Sequence, residues 1–151
     1  MKYAIVLPMP PSINAAHSVG RKFSKGRTAA RYGSDRTISR SEEYTNWLQW
    51  AAIAFRDHCL KSKVTFLRGR IKVQYIFIFK TQAGDTDNRI KVCQDFLQHK
   101  FFENDSQIDD ITALKRISKD QGGQVIIIME EMPDQRYDDP MELFNQLYQG
   151  D

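Results

Sequence analysis

The 151-residue chain is short of the residues that build metal–thiolate, disulfide and membrane-spanning structures: it has two cysteines, three histidines and no apolar run of bilayer length. Cys59 and Cys93 form no CxxC pair and no Cys/His cluster, so zinc is disfavoured, and their helix-like surroundings suggest reduced core thiols. Apolar runs such as residues 75–79 and 125–129 have only strand length, so no transmembrane helix is expected. The opening Met1-Lys2-Tyr3-Ala4-Ile5-Val6-Leu7-Pro8 lacks the apolar stretch and small-residue cleavage site of a secretory signal, and a cytoplasmic location is expected. No internal repeat, low-complexity segment or nucleotide-cofactor motif is present.

What the chain does have is a division of charge. Residues 1–129 carry 21 Lys/Arg against 12 Asp/Glu, whereas residues 130–151 carry one Arg against seven acids. A basic body favours a polyanionic partner through phosphate neutralisation and counterion release. The length and a hydrophobic fraction of 41% fit one globular domain. We place that domain at residues 1–132 and an acidic tail, with room for a short helix over 141–148, at 133–151.

Along the chain, strand-forming residues 2–7 are stopped by Pro8, Pro10 and Pro11. Residues 17–40 hold seven Lys/Arg, one acid and three glycines with little apolar periodicity, which predicts a long basic loop. Arg21, Lys22, Lys25, Arg27, Arg31 and Arg36 in it are candidate phosphate contacts, a solvated basic face being the equal alternative. Ser39-Arg40-Ser41-Glu42 has the S-x-x-E form of a capping box, and Tyr44, Trp47, Leu48, Ala51, Phe55 and Cys59 follow at helical spacing, predicting a helix over 41–61. Trp50 and Ala54 widen its apolar face for core packing or a subunit interface. Alternation at Ile71, Val73, Tyr75, Phe77 and Phe79 predicts a strand, and Ile90, Cys93, Leu97 and Phe101 give one core-facing stripe for a helix from 87 to about 100. Residues 108–118 read as a strand, Gly122-Gly123 as a hairpin turn and residues 125–129 as its returning partner. The expected fold is therefore a single α/β (α+β) domain with helices packed on a mixed sheet, in the order strand, helix, strand, helix, strand, strand.

Carboxylates concentrate where the second helix begins, in Gly84-Asp85-Thr86-Asp87-Asn88-Arg89. At about 100° per residue, Asp87, Lys91, Asp95 and Gln98 share one face, away from the apolar stripe. Two carboxylates about 4 Å apart repel by roughly 4 kcal/mol at an effective dielectric near 20, and a helix N-terminus returns only about 0.3–1 kcal/mol. If the acids cluster, a cation must supply the difference, and oxygen-only ligands point to a hard ion such as Mg²⁺. An EF-hand starting at Asp85 would need Gly and Glu where the chain has Ile90 and Phe96. A D-x-D-x-T phosphatase would need its first acid at a strand end, but Lys80 to Gly84 intervene and Arg89 stands at the fifth place. An ordinary capped helix with solvated acids is the remaining rival.

The company the motif keeps favours a site. Asp85-Thr86-Asp87-Asn88, Lys91, Asp95-Phe96-Leu97, Asn104-Asp105-Ser106-Gln107-Ile108 and Lys115, with the opening Leu7-Pro8-Met9-Pro10-Pro11-Ser12-Ile13-Asn14, closely resemble the RusA family of Holliday-junction resolvases. The resemblance runs from residue 3 to about 130. It implies a Mg²⁺-dependent homodimeric endonuclease, frequent in phages and prophages, that nicks four-way DNA junctions in recombination and repair. By the same resemblance Asp85, Asp87 and Asp105 match the metal-binding acids, for which Mn²⁺ is expected to substitute as the ion, and Lys91 matches the catalytic lysine. Asn88 and Asp95 would support them from behind, with turn capping and a plain Lys91 salt bridge as the alternatives, and Lys115 would lie near the metal site as a DNA contact. The family usually has two consecutive aspartates where this chain has Asn104-Asp105. A nuclease for flaps, forks or RNA, a non-catalytic junction-binding protein and a small-molecule phosphohydrolase are the competing functions.

Overall fold

The computed structural model describes residues 1–21, 36–133 and 141. Lys22, Lys25, Arg27 and Arg31 of the basic segment, and the expected tail helix apart from Met141, lie outside the described residues. Among the described residues the elements follow in the order β1 (Lys2–Pro8), α1 (Ile13–Ala16), β2 (His17–Arg21), β3 (Arg36–Arg40), α2 (Glu42–Lys61), β4 (Ile71–Phe79), α3 (Asp87–Leu97), a 3₁₀ turn (Asp105–Gln107), β5 (Ile108–Ile117) and β6 (Gln124–Glu131). The α+β class and the mixed sheet agree with the sequence expectation, and among the described residues no helix is long and apolar enough to cross a membrane.

The main sheet has the order β1-β6-β4-β5, with β4 and β5 parallel and the other pairs antiparallel. This corrects the expected β5–β6 hairpin: β6 lies between β1 and β4 and does not pair with β5. The physical reason is the difference between the two strands. The apolar run of β6 suits a central strand, buried in part on both faces, whereas β5 carries Asp109, Asp110, Lys115 and Arg116 and occupies an edge. Joining β4 to a parallel β5 requires a crossover, which α3 supplies. The glycine pair serves the connection across the end of β4, where Gly123 N–H donates to Ile78 O at 2.7 Å. A Cβ on Gly122 would stand 2.6 Å from Lys80 N.

One face of the sheet is the core. Tyr3, Ile5 and Leu7 of β1, Val125, Ile127 and Met129 of β6, and Ile71, Val73, Tyr75 and Phe77 of β4 are buried with Tyr44, Trp47 and Ala51 of α2 and Val92, Cys93, Phe96 and Leu97 of α3. Trp47 also donates from Nε1 to Pro8 O at 2.9 Å, tying α2 to the proline loop. Ile90, expected in the stripe, is half-buried at its rim, and Phe101 is buried in the turn after the helix. Burial pushes the Cys93 thiol up, as befits an inert core group, while Cys59 is exposed, contrary to its expected core position. Trp50 is also exposed, at 65%, because the buried arc through Trp47 and Ala51 is narrow and leaves it on the solvent side.

Two further departures concern the start of α2. Ser41, not Ser39, is its N-cap, and the Ser41 hydroxyl oxygen accepts from Tyr44 N–H at 3.1 Å. The ends of the expected basic loop are paired as an antiparallel ribbon, with Arg21 opposite Arg36 and His17 opposite Arg40.

On the face away from the core, the register aligns Val6, Ile126, Ile76 and Leu114 in one row across all four strands. On the same face, beyond an intervening row of Ala4, Ile128, Gln74 and Thr112, a row of Lys2, Glu130, Lys72 and Asp110 alternates in charge, bridged at 3.6 Å between Lys2 and Glu130 and at 3.0 Å between Lys72 and Asp110.

Candidate active site

The acidic segment leaves the C-terminal end of β4 through residues 80–86 and enters α3 at Asp87. Asp85 and Asp87 are exposed, and no group among the described residues hydrogen-bonds or ion-pairs with either carboxylate. Thr86 occupies the N-cap position without a side-chain cap bond, so the first helical N–H groups receive none from it. Asn88 makes no side-chain hydrogen bond to a carboxylate among the described residues.

One helical turn further on, Lys91 joins two acids. Its Nζ donates to Asp105 Oδ2 at 2.8 Å and lies 3.0 Å from Asp95 Oδ1. The Asp95 contact is the salt bridge expected from i,i+4 spacing. The Asp105 contact spans fourteen residues of sequence and brings the 3₁₀ turn against α3. The hydrogen bonds that Lys91 donates to Asp105 and then to Asp95 raise the Lys91 pKa, and Lys91 in turn lowers that of Asp105. All three side chains keep substantial contact with water, so the pairing fixes geometry more than it stabilises the fold.

The sign of the Asp105 shift makes a prediction. A carboxyl depressed by Lys91 stays ionised to lower pH than in the unfolded chain, and its contribution is lost as pH falls through the depressed value. Carboxyl ¹³C titration should place Asp105 below its ordinary 3.8, and Lys91→Met should move the midpoint up towards that value. An unmoved midpoint would show that the pair does not form.

Asn104 acquires a definite role as the cap of the 3₁₀ turn. Its Oδ1 accepts from Ser106 N–H at 3.0 Å, while Gln107 Oε1 accepts from the N–H groups of Glu103 and Asn104, each at 3.0 Å. Gln107 Nε2 donates to Leu67 O and Gly69 O, fastening the turn to the segment before β4. Asn and Asp are comparable caps, so Asn104 satisfies locally what an aspartate would. The spacing Asn104-x-x-Gln107 was available as a sequence signal for this cap.

Two cations behind the acidic segment hold its backbone. Lys115 Nζ donates to Gln82 O at 2.6 Å and to Gly84 O at 2.8 Å. Arg89, not among the expected site residues, donates from Nε to Asp85 O at 3.1 Å and from its guanidinium to Pro10 O. Arg21 and Arg36 face one another in the ribbon register, where their backbones alone are described.

Among the described residues no three of His, Cys, Asp and Glu stand together closely enough to hold a metal ion. Direct contacts gather Lys91, Asp95 and Asp105, with Asp85 and Asp87 at the N-terminal end of the same helix.

A mixed sheet, a helix with an acid–lysine–acid ladder and a capped turn delivering a further aspartate define an α+β protein with a charged site beside the end of β4. The chain matches the family described as Endodeoxyribonuclease RusA over residues 20–130, and it belongs to that family of endodeoxyribonucleases. The match takes in α3, the 3₁₀ turn and β5, and begins after β1 and the proline loop. No curated protein matches the chain.

Proposed function

We propose that the protein is a Mg²⁺-dependent endodeoxyribonuclease that resolves four-way DNA junctions by paired nicking. The observation that carries the reading is the Lys91–Asp105 contact, which unites two distant segments of the matched family region at one point. Asp85, Asp87 and Asp105 would hold the ion. The donor types suit it, since all are hard carboxylate oxygens and those of Asp85 and Asp87 are not engaged within the described protein. The three do not stand together in the described structure, where Lys91 holds Asp105, so binding the ion requires Asp105 to leave Lys91 and move towards the other two. Bound there, Mg²⁺ supplies Lewis acidity and a water of lowered pKa. Mn²⁺ is expected to replace it.

The chain's own contribution is charge placement. Lys91, its pKa raised by two carboxylates, remains an ammonium at neutral pH, so it stabilises negative charge on the phosphate or leaving oxygen and does not serve as a base. Asp95 keeps Lys91 on the acidic face when Asp105 is engaged elsewhere. Asn88 is available to orient a neighbouring carboxylate. The basic segment, with Arg21, Lys22, Lys25, Arg27, Arg31 and Arg36, grips phosphates, and junction binding should weaken steeply with salt.

Paired nicks in a junction of approximate two-fold symmetry call for a homodimer. The row Val6, Ile126, Ile76 and Leu114 offers a self-complementary surface for it, with the alternating charges of Lys2, Glu130, Lys72 and Asp110 further along the same face. On α2, Trp47 is buried in the core, and the exposed Trp50 is the second candidate for such an interface. Ile126→Asp should shift the protein from dimer to monomer by light scattering; an unchanged dimer removes this face from consideration.

The experiment that tests the function uses labelled four-way junction, flap, linear duplex and single-stranded RNA, with Mg²⁺ and with chelator. Symmetric nicks in the junction alone, requiring Mg²⁺, are expected. Preference for flaps or RNA would reassign the substrate, and binding without cleavage would make the protein a junction-binding module.

A further inference from the structure

We infer that Lys115 is a positioning residue, which with Arg89 clamps the segment carrying Asp85 and Asp87 onto the ring of Phe79, and not a phosphate contact; the inference rests on the reading of those two aspartates as site acids. Lys115 lies on β5, opposite Phe77 in the register, and reaches across the end of β4. Two of the three ammonium donors are spent on Gln82 O and Gly84 O, and Nζ stands 5.2 Å from the centre of the Phe79 ring. The Arg89 guanidinium carbon stands 5.5 Å from the same ring, with its donors on Asp85 O and Pro10 O.

Both cations approach an acidic segment and engage main-chain carbonyls instead of carboxylates. The consequence is specific: the backbone is fixed on either side of Asp85 while the side chains stay open to a ligand. Positive charge held underneath also eases the mutual repulsion of the two acids. Gly84 completes the arrangement. Its φ of +125° is open to glycine, and a Cβ there would stand 2.5 Å from Phe79 Cε1, so the backbone lies directly against the ring. A fixed backbone matters because a displacement of about 1 Å at reacting groups can lower a rate by roughly 10²-fold.

The test compares the full chain with Lys115→Met, which keeps the apolar stem and removes the donors, and Lys115→Arg, which restores donors. Hydrogen exchange is measured without DNA or metal, cleavage at saturating junction with Mg²⁺, and junction affinity across a salt series. The clamp predicts that Lys115→Met exchanges faster within residues 82–88 than in β4 and β6, and cuts at least about tenfold more slowly when saturated. Junction affinity and salt slope should stay near those of the unaltered chain, and Lys115→Arg should recover most of the rate. Unchanged exchange, or faster exchange spread evenly over β4 and β6, would overturn the inference. So would weakened binding with a salt slope reduced by about one, the signature of a lost phosphate contact. If the unaltered chain cuts no nucleic acid, the nuclease reading fails, and the exchange comparison still decides whether the clamp exists.

Discussion

Asp87→Asn should bind four-way junctions as the unaltered protein does and cut them at least about 10²–10³-fold more slowly, the usual scale for losing one charge-stabilising group. Asn has nearly the shape of Asp, so what disappears is one negative oxygen donor at the first residue of α3. The fold loses little, since an exposed acid in the first helical turn contributes only about 0.3–1 kcal/mol through the helix dipole. Binding is spared because removing an anion from a surface that meets phosphate does not weaken the encounter. Asp105→Asn is expected to impair cleavage for a second reason, loss of the charge that orders Lys91. Single-turnover cleavage and a gel-shift titration on the same preparations check this prediction, and undiminished cleavage by Asp87→Asn would remove that residue from the site.

The second large effect is on stability. Trp47→Ala should cost about 3–5 kcal/mol, because it empties a buried indole site between α2, α3 and β1. Against a typical domain stability of about 5–15 kcal/mol, that brings the chain near the unfolding threshold. Trp47 does more than fill space: its ring meets Phe96 edge-on at 5.5 Å, and its Nε1–H fixes Pro8 O. Trp47→Phe should retain much of the packing and lose the hydrogen bond, for which about 0.5–1.5 kcal/mol is expected. Denaturant unfolding of the three proteins separates the contributions; equal midpoints for all three would show that the indole is not a core group.

The parts of this structure that were legible in the sequence are those in which a local period carries the information. The 3.6-residue spacing located α3 and put Asp87, Lys91 and Asp95 on its outer face, and the period of two located β4. Strand partnership has no such local signature. Gly122-Gly123 followed by an apolar run suits a hairpin equally well, and only the shortage of buried positions for a run like 125–129 moves β6 to the centre of the sheet. The contact of Asp105 with Lys91 has no period connecting its partners, and it was accessible only through a family pattern. Contacts to main-chain carbonyls, such as those of Lys115 and Arg89, leave no residue-type signature at the accepting position.

Asn104 is instructive in the opposite direction. Set against the family pattern it is a departure from the usual aspartate pair; taken with Gln107, it is a cap holding the 3₁₀ turn that presents Asp105. The same residue therefore serves the site through backbone geometry.

Titration of the apoprotein with Mn²⁺, followed by water-proton relaxation, tests most directly whether Asp85, Asp87 and Asp105 share one divalent ion. Saturable binding that weakens at least about tenfold in each of Asp85→Asn, Asp87→Asn and Asp105→Asn is the predicted result. Binding of equal strength in all four proteins, or none in the unaltered chain even with junction DNA present, would contradict the account.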